Sequence, residues 1–600
     1  MVFNSMPASI IKTIEVITTP SSRYEAEGLG GIINIITYKK SILGYNGGLN
    51  LRATNPKGLM ANGNITMTKE RFSIAGHIGY TTNTNPANMS YYYRKDAIPQ
   101  NQLEQQGANS NGSKLNNWGS ELNWKLNPFN LITASYSSYS SSGLSSYLQQ
   151  AHLLDASNTL TQAYNISNEG SNESTGNDLA IEFEHDFRKN EAQQFILSYR
   201  RSKSKANSKT NLLLYPIVNF KDRESITNND DRFNEHSVQT DLRLAIKQHS
   251  LELGASFITR DNSSDYSYLD KNTGTNVFVI DTSQSNNYNY QEAIFATYST
   301  LNLNAKKWGI RAGVRMENAS VKARFITSRT STKQQYFNLL PSIIITRQLK
   351  GLSMLKLSYA QRIQRPDLFY LDPYINVSDP YNISYGNPNL QPALGHVFNL
   401  TYNAILKKVF ININAAHQFT TNSIQQITVL YHDSISHTTF GNIGKNKSYN
   451  LSINGNTVLF RKLNINIGVS SNYMQFMSRI MEKMQLNEGL IYSISGSFNI
   501  RQKNWRAGIN MSYSSPNILV QGRTASFIAN SVAINRSFLK DKRMNVGLSV
   551  SNPFQQYRRS YTEISGLSFY QLQQSISVIR RFSLSFIYRF AKVQAGSKEL

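Results

Sequence analysis

The 600-residue sequence contains no cysteine, which excludes disulfides, thiolate metal sites and a cysteine nucleophile. It also contains no run of ~18 or more apolar residues, which excludes a membrane-spanning helix but leaves a barrel of alternating strands open. Charge is scarce, 16% of residues against roughly 25% in ordinary globular proteins. A basic n-region with an apolar h-region is absent after Met1-Val2-Phe3-Asn4, so an exported form is expected to start upstream. There are nine histidines, and His432-Asp433-Ser434-Ile435-Ser436-His437 is their one cluster. Its spacing matches no zinc or nucleophile motif and reads as a solvated loop. Gly28-Leu29-Gly30-Gly31 precedes a strand and not a helix, so it is no phosphate cradle. Glu25 and Glu27 read as a charged turn and not a catalytic pair. The expectation is a protein that is not an enzyme, with no catalytic residues, no metal and no cofactor.

What is present points to lipid on one side and water on the other. Tyrosine (34) and phenylalanine (28) are abundant, while the apolar share is only 40%. The net charge of +25 is spread along the chain without a nucleic-acid motif, even at Arg200-Arg201-Ser202-Lys203-Ser204-Lys205. Anionic lipopolysaccharide or an anionic solute fits it better than a nucleic acid.

The stretch Ile14–Lys40 stands apart from everything after it. Ile14, Val16 and Ile17 read as a short strand that Pro20-Ser21-Ser22 ends. Gly28, Gly30 and Gly31 then give backbone freedom before Ile32–Thr37, apolar and β-branched enough for a strand buried on both faces. The pattern of Ile14, Glu15, Val16, Pro20, Tyr24, Gly28, Gly30, Gly31, Ile33, Asn34 and Thr37 resembles the end of the plug domain of TonB-dependent outer-membrane receptors. That resemblance implies a plug remnant over residues 1–40 and a barrel over 41–590, while the polar tail expected over 591–600 departs from barrels that stop at a terminal aromatic.

From Ser41 onward the chain alternates apolar and polar residues, as in Ile310, Ala312, Val314 and Met316 against Arg311, Gly313, Arg315 and Glu317. A soluble antiparallel sheet alternates in the same way. Segments of about nine to eleven residues, a wet face of Gly, Ser, Asn and Arg, and aromatics near the stripe ends favour a transmembrane barrel. The expected fold class is an all-β, antiparallel transmembrane β-barrel. Ser41–Phe590 at ~10 residues per strand fits about 22 strands with an even count.

Long extracellular loops are expected at 81–115, 137–178, 202–232, 261–290 and 363–392. In them Tyr91, Tyr92, Tyr93, Arg94, Tyr266 and Tyr268 are the candidate ligand-binding residues, by stacking and hydrogen bonding. Leu340–Tyr402 carries a second resemblance to the same receptors, with S-Y-x-x-R-I-x-R-P, a Tyr/Asp/Pro-rich loop and G-N-P-x-L-x-P. Leu355, Leu357 and Tyr359 are expected toward lipid, with Arg362 and Arg365 near the strand end and Pro366 stopping its pairing. Gly386-Asn387-Pro388 reads as a rigid turn with a structural role.

Phe582, Leu584, Phe586, Tyr588 and Phe590 alternate with Ser583, Ser585, Ile587 and Arg589. This last strand resembles the signal read by the barrel assembly machinery, and closure requires it to pair with the first strand. The family resemblance implies uptake of a scarce nutrient, a siderophore, cofactor or oligosaccharide, across the outer membrane of a gram-negative cell. It also implies coupling to the TonB complex, provided that a box and plug precede Met1. The rival expectations are a passive porin-like channel and a structural or adhesive surface barrel.

Overall fold

The computed structural model describes residues 11–17, 19–28, 31–37, 44–98, 100–187, 193–326, 329–431, 434–480 and 483–593. Gly30, His432 and Asp433 lie outside the described residues, as does most of the expected C-terminal tail. The described chain forms a closed antiparallel barrel of 22 wall strands. The first wall strand, Gly44–Asn55, pairs with the last, Arg581–Val593, in register from Gly44↔Val593 to Asn55↔Phe582. Pairing thus runs three residues beyond Phe590, where the tail was expected to begin.

The alternation read from the sequence is the lipid-facing stripe. Phe582 and Leu584 lie open on the outer face beside Leu548, as do Leu357, Phe398 and Leu400 on the far side. Ser358 and Ala360 face the bore and are buried there. Among the described residues no apolar centre fills the barrel. Buried apolar residues instead form four small clusters, two near the mouth around Tyr164 and Phe325 and two beside a row of charged side chains, around Ile363 with Ala26 and around Ile294.

Strand length departs from expectation. Strands of 23 to 27 residues, from Phe72–Asp96 to His249–Lys271, rise far above the membrane band. At 3.4 Å per residue, 25 residues extend about 80 Å. The loops expected at 81–115, 137–178, 202–232 and 261–290 are mostly strand. In the first of them only 97–101 falls between strands Phe72–Asp96 and Gln102–Asn127. Above the bilayer both faces of a strand meet water, so the apolar alternation vanishes while backbone pairing continues. The expectation at 363–392 holds, since that connection is mainly loop, with a helix at Leu368–Leu371 and a short strand at Asn382–Ser384.

On the other side the wall is low: Gly44–Asn55, Gly58–Lys69, Trp505–Ser514 and Met544–Ser551 have 12, 12, 10 and 8 residues. A hairpin of Tyr557–Ser565 and Phe569–Val578 stands on this low side and pairs with Met89–Asp96 of the tall strand.

Ile11–Ile17 and Ile32–Thr37 form a separate two-stranded sheet with Glu15↔Asn34 in register. This corrects the expectation of a strand covered on both faces: Ile33 is 54% exposed, because a two-stranded sheet covers little of itself. Gly31 sits at φ 87°, in the left-handed region that glycine enters without steric cost.

Candidate binding site in the bore and at its mouth

Alternation along each wall strand decides which side chains enter the bore. The register aligns Glu235, Arg260 and Glu292 in one inward row on three neighbouring strands. The segment 19–28 of the N-terminal hairpin docks against this row. Arg260 Nη2 lies 2.9 Å from Glu25 and its Nη1 3.2 Å from Glu27, while Glu235 and Glu292 lie at 2.7 and 2.9 Å. Arg365 joins Glu27 (3.4 Å) to Glu317 (2.5 Å), and Arg315 completes the set at 2.6 Å from Glu317.

Backbone contacts secure the same segment. Arg362 donates to the carbonyls of Gly28 and Glu27 at 2.9 and 2.8 Å. Gly28 N–H donates to Ile363 O, and Ile363 N–H to Ala26 O. Further along, Thr19 hydrogen-bonds Ser358 at 2.9 Å and Ser22 hydrogen-bonds Thr300 at 2.8 Å. A Cβ at Gly313 would overlap the Ser22 hydroxyl, so glycine there permits the close approach. Glu25 and Glu27 are therefore bound up in ion pairs with arginine. Arg260 and Glu292 are not singled out by the sequence, and Arg315 and Glu317 stand there on a polar face with no assigned role. Their signal was a charge at an inward position of an otherwise oily strand.

The loop 365–392 crosses the mouth from one tall wall to another. Pro366 is buried directly beyond the strand Met354–Gln364. Asp367 caps the short helix by accepting from Phe369 N–H at 3.0 Å. At one end of the loop Asn286 donates to Asp372 at 2.7 Å, and the Tyr374 and Tyr266 hydroxyls meet at 2.8 Å. At the other end Tyr92 donates to Asn382 at 2.8 Å and Gln105 to Asp379 at 3.0 Å. Arg94, wholly buried, pairs with Asp96 at 2.9 Å and donates to the carbonyls of Tyr381 and Ser434. Burial pushes the Tyr381 phenol up to about 12 and raises the Asp372 carboxyl above its usual range.

The turn at Gly386-Asn387-Pro388 ties the loop down. Asn387 donates to Phe440 O at 3.0 Å, Pro388 O accepts from Thr332, and a Cβ at Gly386 would strike the backbone of Tyr370 and Asp372.

The candidate ligand residues are thus divided. Tyr92, Arg94 and Tyr266 face inward and hold the loop, and Tyr268 is buried beneath Arg223 at 5.5 Å. Tyr91 and Tyr93 fall on the opposite face of their strand, Tyr91 in an outer groove of about 730 Å³ beside Met89 and Leu148. An inward cavity of about 480 Å³ lies at the mouth, bounded by Tyr266, Tyr288, Asp367, Asp372 and Tyr374.

Opposite the charged row, the bore is lined by neutral amides and hydroxyls. A cavity of about 740 Å³ there is lined by Asn454, Asn466, Ser497, Asn510 and Ser531 among others. Cross-strand bonds such as Asn412 to Asn403 (2.7 Å) and Asn510 to Ser531 (3.2 Å) run along this arc. Among the described residues no group of three or more histidines and carboxylates is placed to hold a metal ion.

Comparison with known proteins agrees with this architecture. No curated protein matches the sequence. The fold is similar to the siderophore receptor PirA of Pseudomonas aeruginosa, at 12% identity and TM-score 0.54, covering 98% of this chain and 88% of that one. It is similar to the ferric citrate transporter FecA, at 11% identity and TM-score 0.63, covering 98% and 85%. The ferric yersiniabactin uptake receptor FyuA of Yersinia pestis is similar at 11% identity and TM-score 0.62, covering 97% and 85%. The barrel fold implied by the resemblance to TonB-dependent receptors is the fold found. Residues 185–588 match the description of one family, and the chain belongs to it: the outer membrane protein beta-barrel family.

Proposed function

We propose that this chain is the barrel of an outer-membrane uptake receptor for a scarce solute. The observation that carries the reading is a bore obstructed at two levels. The loop 365–392 crosses the mouth, and the ion-paired segment 19–28 lies against the wall below it. Uptake that admits one solute needs removable obstructions, whereas general diffusion does not. In this reading residues 1–40 are the closing piece of a plug, and coupling to the TonB complex applies where an N-terminal box precedes them. Ligand contacts fall on the mouth loop and the cavity bounded by Tyr266 and Tyr374, with Tyr92 and Arg94 acting through the loop they hold.

The proteins of like fold are named for siderophore, ferric citrate and ferric yersiniabactin uptake. Iron chelates are therefore the first solutes to test, before cofactors and oligosaccharides. Growth of a deletion strain on a panel of ferric chelates and glycans tests the assignment, with loss on one member and rescue by the reintroduced gene as the expected result. Unchanged growth across the panel counts against it.

The uncovered amide-lined cavity favours a second reading, a passive channel. Planar-bilayer conductance separates the two: the refolded chain is expected to be closed or to flicker, and steady ohmic current with the loop intact supports the channel.

A further inference from the structure

We infer that the short-turn rim of the barrel is a collar that binds the phosphate groups of anionic phospholipids in the leaflet it faces. Both described ends of the barrel wall, Gly44 and Val593, lie at this rim. In barrels of this kind short turns face the periplasm, so the leaflet is the inner one.

The first observation is a contrast between residues in the same backbone conformation at opposite rims. Where connections at the tall rim place a residue in the left-handed region, asparagine often fills it, as at Asn158, Asn219, Asn276 and Asn552. Asparagine suits that conformation because its short amide bonds locally. At the short-turn rim the residues in that region are mixed, with Glu70, Phe460, Arg461 and Leu539 among them, but four of the two-residue turns put lysine there: Lys247 (φ 55°), Lys306 (φ 47°), Lys407 (φ 59°) and Lys503 (φ 50°). Lysine gains nothing from that conformation, and the chain uses asparagine freely elsewhere. The cation is what these turns have in common. All four lysines are exposed, and none pairs with a carboxylate among the described residues.

A second, independent observation concerns the outer face one step inside the turns. Trp308 follows Lys306 and Lys307, and Arg347 lies over its ring at 4.8 Å. Trp505 follows Lys503 and Asn504, and Arg536 lies over its ring at 5.1 Å. Phe72 and Trp124 stack at 5.7 Å on another pair of strands. Aromatic rings at the end of an apolar stripe mark the interfacial level of a bilayer, which puts the turn lysines at the depth of the phosphates.

The spacing selects a lipid over a folded partner. The cations sit on separate hairpins around the wall rather than in one patch, and each has a long, mobile stem. An annulus of headgroups meets all of them at once, whereas a single docked protein meets few. Each lysine near an anionic surface strengthens attraction measurably, and the effect is screened by salt.

The test uses the full chain, delipidated in detergent and titrated with phosphatidylglycerol and with phosphatidylcholine. It is compared with the combined variant Lys247→Asn, Lys306→Asn, Lys407→Asn and Lys503→Asn. Asparagine is at ease in the left-handed conformation, so the turns are kept while the charges go. A control variant, Lys203→Asn with Lys205→Asn, removes cations from the tall side. Native mass spectrometry is expected to show preferential retention of phosphatidylglycerol by the parent chain, falling at least about fivefold in the four-site variant and little in the control. No preference in the parent, an unchanged preference in the four-site variant, or an equal fall in the control each overturns the collar. So does a four-site variant that keeps its lipid but loses retention on isolated peptidoglycan.

Discussion

The two halves of the inner wall solve the problem of facing water differently. One half, on the strands from Arg223–Ile246 to Met354–Gln364, concentrates charge: Arg260, Arg315, Arg362 and Arg365 against Glu235, Glu292 and Glu317. The other half, including Ser436–Leu459, Leu463–Ile480 and Trp505–Ser514, presents asparagine and serine and no ion pair among its described wall residues. The N-terminal segment lies on the charged half. Charges taken from water have to be matched by geometry, so that half specifies its partner. Neutral amides bond equally well to water or to one another, and their half specifies little.

Arg260→Ala should expose that difference most sharply. It strands Glu25, Glu27, Glu235 and Glu292 with one arginine fewer, and a loss of about 3 kcal/mol is expected, read by urea unfolding of the refolded barrel. Gly313→Leu attacks the same docking without touching charge. Its side chain takes the space of the Ser22 hydroxyl, at an expected cost of about 1–3 kcal/mol together with faster protease cleavage within 19–28. Tyr374→Phe removes one hydroxyl pair between the loop and the tall wall; about 1 kcal/mol should go, with longer open events in bilayer recordings. Asn466→Ala, on the neutral half, should change stability by less than about 0.5 kcal/mol. A large loss at Asn466, or none at Arg260, would erase the distinction between the halves.

Legibility followed the solvent. Where one face meets lipid and the other water, alternation is strong, and the lipid-facing stripe of Phe582 and Leu584 and the 22-strand count were readable from it. Where both faces meet water, as along the upper part of Asn130–Leu154, a serine-rich stretch looks like loop although its backbone is fully paired. The inward site was less readable still. Arg260 meets Glu25 across 235 positions of sequence, a proximity created by closure and not by local pattern. The roles of Tyr92 and Arg94 were hidden for the same reason, since the groups they hold at Tyr381 and Asn382 come from a distant loop.

The hairpin of Tyr557–Ser565 and Phe569–Val578 has a mechanical consequence. Below it, Gly44–Asn55 is zipped to Arg581–Val593; above, Phe569–Val578 is zipped to Met89–Asp96. The cylinder is thus fastened at two heights along one seam, and lateral parting of the wall there requires both zippers to open together.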